Sequence, residues 1–176
     1  VAWIEDRREH LMATNHSREL DCTLAMAFRN DGLILGMRAT LRGDMGAYIR
    51  TNGGVVPTKG AQFLPGPYRI DDFVCRVEAY ITNKTPMGTY RGPGRFEANY
   101  FRERLLDIAA AELGIDPVEL RRKNLLGPDD MPYEIGDLVP GEARGVNDAG
   151  EFEATFDRAL EAVGYTGPEI GGRHED

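Results

Sequence analysis

A chain of 176 residues with 41% hydrophobic and 28% charged residues has the make-up of one globular domain with a sizeable core. Its formal charge of −8 speaks against a general nucleic-acid or anionic-membrane surface, so an arginine that matters here matters locally. No apolar run reaches membrane-spanning length, no signal peptide is visible, and Cys22 and Cys75 form no CxxC, as expected for reduced core thiols of a cytoplasmic protein.

Val1 to Ile4 reads as a short strand already under way, which marks the chain as an internal portion of something longer. Asp6 to Thr14 can make one or two helical turns. Alternation at Cys22, Leu24, Met26 and Phe28, the turn Asn30-Asp31-Gly32, and a return through Leu33, Leu35, Met37, Ala39 and Leu41 predict a hairpin over 19–42. Residues 43–69 are rich in Gly and Pro and read as a long irregular connection of the kind that carries function. Phe73, Cys75, Val77, Ala79 and Ile81 give a third strand. A helix follows from Phe96 to Leu113, with Ala98, Phe101, Leu105, Ile108, Ala109 and Glu112 at helical spacing and Gly114 as its stop. Asp116-Pro117-Val118-Glu119 starts another, with Asp116 as cap and Glu119 placed to close a capping box. Its basic end, Arg121-Arg122-Lys123, reads as helix-dipole chemistry rather than a binding patch. Residues 1–126 thus form the core segment and 127–147 a linker. The unit 148–164 holds a last helix capped by Asp148, and 165–176 are a flexible tail. The pattern is α+β, with helices packed on an antiparallel-rich sheet.

Chemistry concentrates in one stretch, Thr89-Tyr90-Arg91-Gly92-Pro93-Gly94-Arg95, directly before the long helix. Gly92 and Gly94 allow close backbone approach and positive φ. Helix-opening amides and two arginines could cradle a phosphate or another oxyanion. The other reading is a helix-leading loop with solvated arginines. His10, His16 and His174 lack metal-ligand spacing, and the pairs Asp71-Asp72 and Asp129-Asp130 point apart on extended chain, so no metal ligand and no catalytic residue is assigned. Trp3 and most methionines fit core positions.

Four stretches stand in one collinear order over about residues 1–126: Trp3-Ile4-Glu5-Asp6-Arg7-Arg8-Glu9 with Leu11-Met12-Ala13-Thr14; Asp44-Met45-Gly46-Ala47-Tyr48; the 89–95 loop; and Asp116-Pro117 through Arg121-Arg122-Lys123-Asn124-Leu125. In these the chain resembles the large subunit of the molybdenum hydroxylases, the xanthine dehydrogenase, aldehyde oxidase and aerobic carbon monoxide dehydrogenase family, most of all the bacterial carbon monoxide dehydrogenase-like large chains. The resemblance implies that family's molybdopterin-binding fold and a share in the oxidative hydroxylation of a small substrate, with water as the oxygen source. It implies a molybdopterin cofactor carrying molybdenum, usually the cytosine dinucleotide form in bacteria. It implies partner subunits with FAD and 2Fe–2S clusters, and the remaining parts of the large subunit. Arg91 matches the family arginine beside the pterin, and Tyr90, Gly92, Pro93 and Gly94 complete the cofactor-side loop. Gly92 replaces the copper-binding cysteine of carbon monoxide dehydrogenase, and Pro93 the substrate-stacking phenylalanine of xanthine dehydrogenases. Both changes argue against those two substrates and leave a small aldehyde or N-heterocycle. The family's upstream Gly-Gln segment and downstream catalytic glutamate have no counterpart here, so the chain alone is expected to be inactive. The alternative is a non-catalytic binding or assembly module that retains the fold.

Overall fold

A computed structural model describes residues 1–16, 19–136 and 145–167. The expected tail therefore lies largely outside the described residues, as does His174. The elements run α1 (Arg7–Ala13), β1 (Leu20–Phe28), β2 (Ile34–Asp44), α2 (Val55–Phe63), β3 (Phe73–Tyr80), α3 (Arg95–Leu113), α4 (Pro117–Asn124), a 3-10 turn (Pro128–Asp130), β4 (Tyr133–Gly136), β5 (Gly145–Asn147) and α5 (Phe152–Val163). This is an α+β arrangement.

β1 and β2 form the hairpin, with Cys22 opposite Leu41 and Met26 opposite Met37. Gly32 takes φ +89°, and a Cβ there would meet the Leu120 and Ile115 methyls at 2.8 and 2.9 Å. Only glycine lets the turn sit that close to α4. The buried Asn124 side chain locks the two together. Its Oδ1 accepts from the Ile34 amide (2.8 Å), and its Nδ2 donates to Gly32 O (2.9 Å) and Leu120 O (2.8 Å). β2 is the central strand and the most buried, as a strand flanked on both sides must be.

β3 joins the other side of β2 in parallel, with Ala39 opposite Cys75 and Leu41 opposite Val77. A parallel pair needs a crossover, and α2 supplies it from inside the stretch expected to be irregular. Pro57 and Gly60 disguise that helix. Pro57 lies in the first turn, where its missing N–H costs nothing, and Gly60 is buried, with the Leu20 and Leu41 methyls 3.3 Å from where a Cβ would stand. With β1–β2 and β4–β5 antiparallel, the sheets are antiparallel-rich as expected. Short strands β4 and β5 also bring order into residues 127–147, read from sequence as a linker.

The main core lies between the sheet and α3, with Met37, Ala39, Leu64, Tyr68, Leu106, Ala110 and Leu120 buried. The buried face of α3 is Ala98, Arg102, Leu106, Ala109 and Ala110, rotated from the stripe read in the sequence; Ile108 is exposed. Arg102 is the cause, because a charged residue on the buried face hides the period. Its guanidinium donates to Phe63 O (3.1 Å), Leu64 O (3.2 Å), Asn99 Oδ1 (2.7 Å) and Glu103 Oε1 (2.8 Å), closing the carbonyl end of α2. Glu103 also accepts from Arg121 (2.8 Å), which reaches Asp107 (2.8 Å), so α2, α3 and α4 share one ionic network. Arg122 pairs with Asp157 of α5 (2.6 Å) and Lys123 with Asp31 (2.9 Å). The basic run is spent on structure.

Several other expectations need correction. Val1 to Ile4 is not a strand, and Trp3 is 76% exposed. Asp116 caps α4 through the Val118 and Glu119 amides, without the reciprocal Glu119 bond. Glu151, not Asp148, precedes α5, and it makes no side-chain cap. Gly114 and Gly164 end α3 and α5 in the left-handed conformation, as read. Cys22 and Cys75 are free but half-buried rather than enclosed.

Burial lifts both thiols from an ordinary 9.0 to about 11, with the neighbouring Cys75 adding to the effect at Cys22. The folded state thus holds these protons where the unfolded chain releases them, so the pair leaves stability unchanged below pH 9.0. Between there and about pH 11 it lowers stability as pH rises. Native-state alkylation by iodoacetamide should be slow at pH 8 and accelerate towards pH 11, with denaturant removing the difference. Equal rates for folded and unfolded protein at pH 8 would contradict the burial.

Candidate functional site

Because β2 and β3 run parallel, the chain leaves both strands at the same end, and the carboxyl ends of parallel strands are where ligand-binding loops gather. The segment after β2 and the segment after β3 are laced together there. Met45 N donates to Tyr80 O (2.8 Å), Thr82 N to Gly46 O (3.0 Å), Ala47 N to Lys84 O (2.9 Å) and Met87 N to Met45 O (3.0 Å). Gly46 takes φ +73°, and a Cβ there would fall 2.5 Å from Thr85 O. The Asp44 carboxylate accepts from the Thr82 hydroxyl (2.6 Å) and the Gly46 amide (2.9 Å). Those bonds hold it below the ordinary carboxylate range.

A third segment closes on the same place. His16 N donates to Pro86 O (3.2 Å) and Gly88 N to His16 O (2.8 Å), while Arg50 reaches Asn15 Oδ1 (2.6 Å). Met45, Val56 and Met87 form a small buried cluster beneath. Residues 86–88 are therefore fixed from two sides, and the loop projects from that anchor.

On the loop, Tyr90 is 69% exposed and Arg91 is exposed. Gly92 and Gly94 take φ +71° and +77°, conformations that glycine permits. Their surroundings differ. A Cβ on Gly92 would meet the edge of the Phe96 ring at 2.9 Å, a surface side chain able to turn aside. A Cβ on Gly94 would fall 2.3 Å from Gly60 N and 2.7 Å from Val56 O. Gly94 serves the seat of the loop on α2, whereas Gly92 and Pro93 lie further out. The two arginines also diverge in role. Arg95 lies 4.3 Å over the Phe63 ring, and its amide donates to Gly92 O (3.2 Å), so this first helical amide is already satisfied within the loop. Arg91 is the arginine presented by the exposed part.

Beside the loop a cleft of about 420 Å³ is lined by Tyr90, Asn15, His16, His10 and Leu11. The sequence singled out Tyr90 but gave no sign of the cleft. Its other walls are surface residues brought in by the backbone bonds of His16, and backbone pairing leaves no mark on residue type. Among the described residues no group of three or more His, Cys, Asp or Glu could hold a metal ion, and no helix is long and apolar enough to cross a membrane.

Residues 1–125, which contain all of this geometry, match the molybdopterin cofactor-binding domain family. The chain is a member of that family. This molybdopterin cofactor-binding domain is 39% identical, over 94% of its own length, to subunit gamma of the 6-hydroxypseudooxynicotine dehydrogenase complex of Paenarthrobacter nicotinovorans. It is 33% identical, again over 94% of its length, to the carbon monoxide dehydrogenase large chain of Hydrogenophaga pseudoflava. The crystal structure of quinoline 2-oxidoreductase from Pseudomonas putida 86 superposes with a TM-score of 0.83 over 92% of the domain at 31% identity. The domain spans 21%, 20% and 20% of these three chains, about a fifth of each.

Proposed function

We propose that this domain contributes the Arg91 loop to the molybdopterin site of a molybdenum-dependent hydroxylase. One observation carries the reading. Tyr90 and Arg91 are exposed on a loop whose base is fixed by His16, Met45 and the Gly94–Gly60 seat. A preorganised loop presenting a guanidinium suits a pterin acceptor or phosphate oxygen, which the planar fork of donors can hold at two points. Tyr90, Gly92 and Pro93 would line the same side, and Gly94 would keep the loop against α2. When bound, the cofactor supplies the two-electron oxidation of substrate. The chain's own part is to orient the cofactor and shape the space beside it.

The cytosine dinucleotide form of the cofactor, FAD and 2Fe–2S clusters on partner subunits, and a cytoplasmic setting belong to the same proposal; relatives described as a complex subunit and a large chain support the existence of partner subunits. Gly92 and Pro93 lack the thiol and the ring that other members use. With relatives named for 6-hydroxypseudooxynicotine and quinoline, a nitrogen heterocycle is the favoured substrate class.

The test is molybdenum and pterin content of the complete purified assembly. Arg91→Lys keeps the charge but loses the fork and should weaken the cofactor binding constant about ten- to a hundredfold, the worth of one charge-assisted hydrogen bond, and so lower occupancy. Arg95→Lys, whose native side chain packs on Phe63, should leave occupancy near wild type. Equal occupancy in wild type and Arg91→Lys would refute the role of the loop.

A further inference from the structure

Gly88 stands immediately before the loop and is a glycine for a different reason from Gly92 and Gly94. Its φ is not positive, so its own backbone would accept a side chain. The space is taken by Asn15. A Cβ on Gly88 would fall 1.9 Å from Asn15 Nδ2 and 2.6 Å from Asn15 Cγ. The carboxamide thus rests on bare main chain at the root of the loop, just ahead of Tyr90 and Arg91. Asn15 is itself held, because its Oδ1 accepts from Arg50 Nη1 (2.6 Å). Arg50 comes from a turn after β2 that packs on the same place. Gly53 N donates to Arg50 O (2.9 Å), and Gly53 is buried, with Met87 O 3.4 Å from where its Cβ would stand. Three stretches far apart in sequence therefore meet on one half-buried side chain.

We propose that Asn15 is a positioning residue for Arg91, a wedge between the Arg50 guanidinium and the Gly88 main chain that sets how the loop stands. This rests on the reading of 89–95 as the cofactor-side loop. The bonds from His16 N to Pro86 O and from Gly88 N to His16 O fix the register of residues 86–88. They leave the ribbon free to tilt about the line that joins them. A side chain packed on the Cα of Gly88 restrains that tilt. A small rotation at this point is magnified at a guanidinium further along the chain, and a binding group tolerates displacements of only about 0.5–1 Å. The residue types suit the task. Asparagine is short enough to lie on a glycine, and its carbonyl takes the Arg50 proton that keeps it there. Any Cβ at position 88 would expel the carboxamide, and alanine at position 15 would take this acceptor from Arg50.

The test uses the complete purified assembly and two readouts, hydrogen–deuterium exchange of peptides covering residues 86–92 and the content of molybdenum and pterin. Asn15→Ala should speed exchange at Gly88 and the amides beyond it about two- to tenfold, the worth of one hydrogen bond. It should also lower cofactor content, with the melting temperature of the assembly unchanged. Asn15→Asp keeps an acceptor of the same size for Arg50 and should restore both readouts. Gly88→Ala should reproduce Asn15→Ala. In an Arg91→Lys background, Asn15→Ala should cost no further cofactor, because the group it positions is already lost. Should Asn15→Ala fail to assemble, Arg50→Met removes the same bond from the other end and decides by the same readouts. Where Arg91→Lys lowers cofactor content, Asn15→Ala with wild-type content or wild-type exchange overturns the proposal, as does an Asn15→Asp that restores neither. Arg91→Lys at wild-type content faults the functional reading itself, and the exchange of Asn15→Ala then decides alone whether Asn15 holds the loop.

Discussion

Arg102→Ala should lower the unfolding free energy by about 3–5 kcal/mol, the range for removing one partner of a buried charged network. The side chain is 6% exposed and closes the end of α2 through the Phe63 and Leu64 carbonyls. Truncation leaves those carbonyls facing a cavity without a donor and withdraws one of the two guanidinium partners of Glu103. Arg102→Met would refill much of the volume without replacing the donors and should recover only part of the loss. Urea denaturation of the three proteins measures this directly. A shift under about 1 kcal/mol for Arg102→Ala would mean the carbonyls find other donors, and the network would then be incidental to stability.

Gly94→Val should be the second most damaging change, and it should damage the fold and the loop together. The residue sits at φ +77° with backbone of α2 on the far side, so an added Cβ meets Gly60 N at 2.3 Å and has no flexible side chain to displace. Left-handed strain of about 1–2 kcal/mol adds to overpacking of about 1–3 kcal/mol. Gly92→Val provides the contrast. It carries similar strain at φ +71° but abuts only the exposed Phe96 ring. In thermal unfolding Gly94→Val should lie well below Gly92→Val. In the complete assembly Gly92→Val should lose cofactor or activity out of proportion to its stability. Equal melting temperatures for the two variants would place the close approach elsewhere.

Local rules made much of this legible. The hairpin announced itself through period-two alternation around Asn30-Asp31-Gly32, and α4 through Asp116 and Pro117. The glycines of the 89–95 loop took the positive φ that their spacing suggested. What stayed hidden depended on partners distant in sequence. Pro57 and Gly60 read as loop residues because Pro57 is tolerated only by its place in the first turn, and Gly60 packs under Leu20 and Leu41, which are distant in sequence. Arg102 broke the apparent stripe of α3 because its burial depends on carbonyls 38 and 39 residues away. Alternation in β3 gave the strand but not its direction, since period two is the same for parallel and antiparallel neighbours. The anchoring of the loop by His16 is carried by main chain, which no residue type betrays. Trp3 failed in the opposite sense: an aromatic side chain suggests a core but cannot specify which surface will cover it.

The parallel alignment of β2 and β3 has a consequence for how such a domain can change over evolutionary time. The hairpin turn is locked to α4 by Asn124 at one pole, while the exposed residues of the loop stand on a rim at the other. Substitutions at Gly92 or Pro93 can thus alter what the rim presents with little call on the interior. The fold is held in common with a protein named for quinoline, at a TM-score of 0.83 and only 31% identity. A scaffold divided in this way can be inherited whole while the residues its rim presents diversify at a few outward positions.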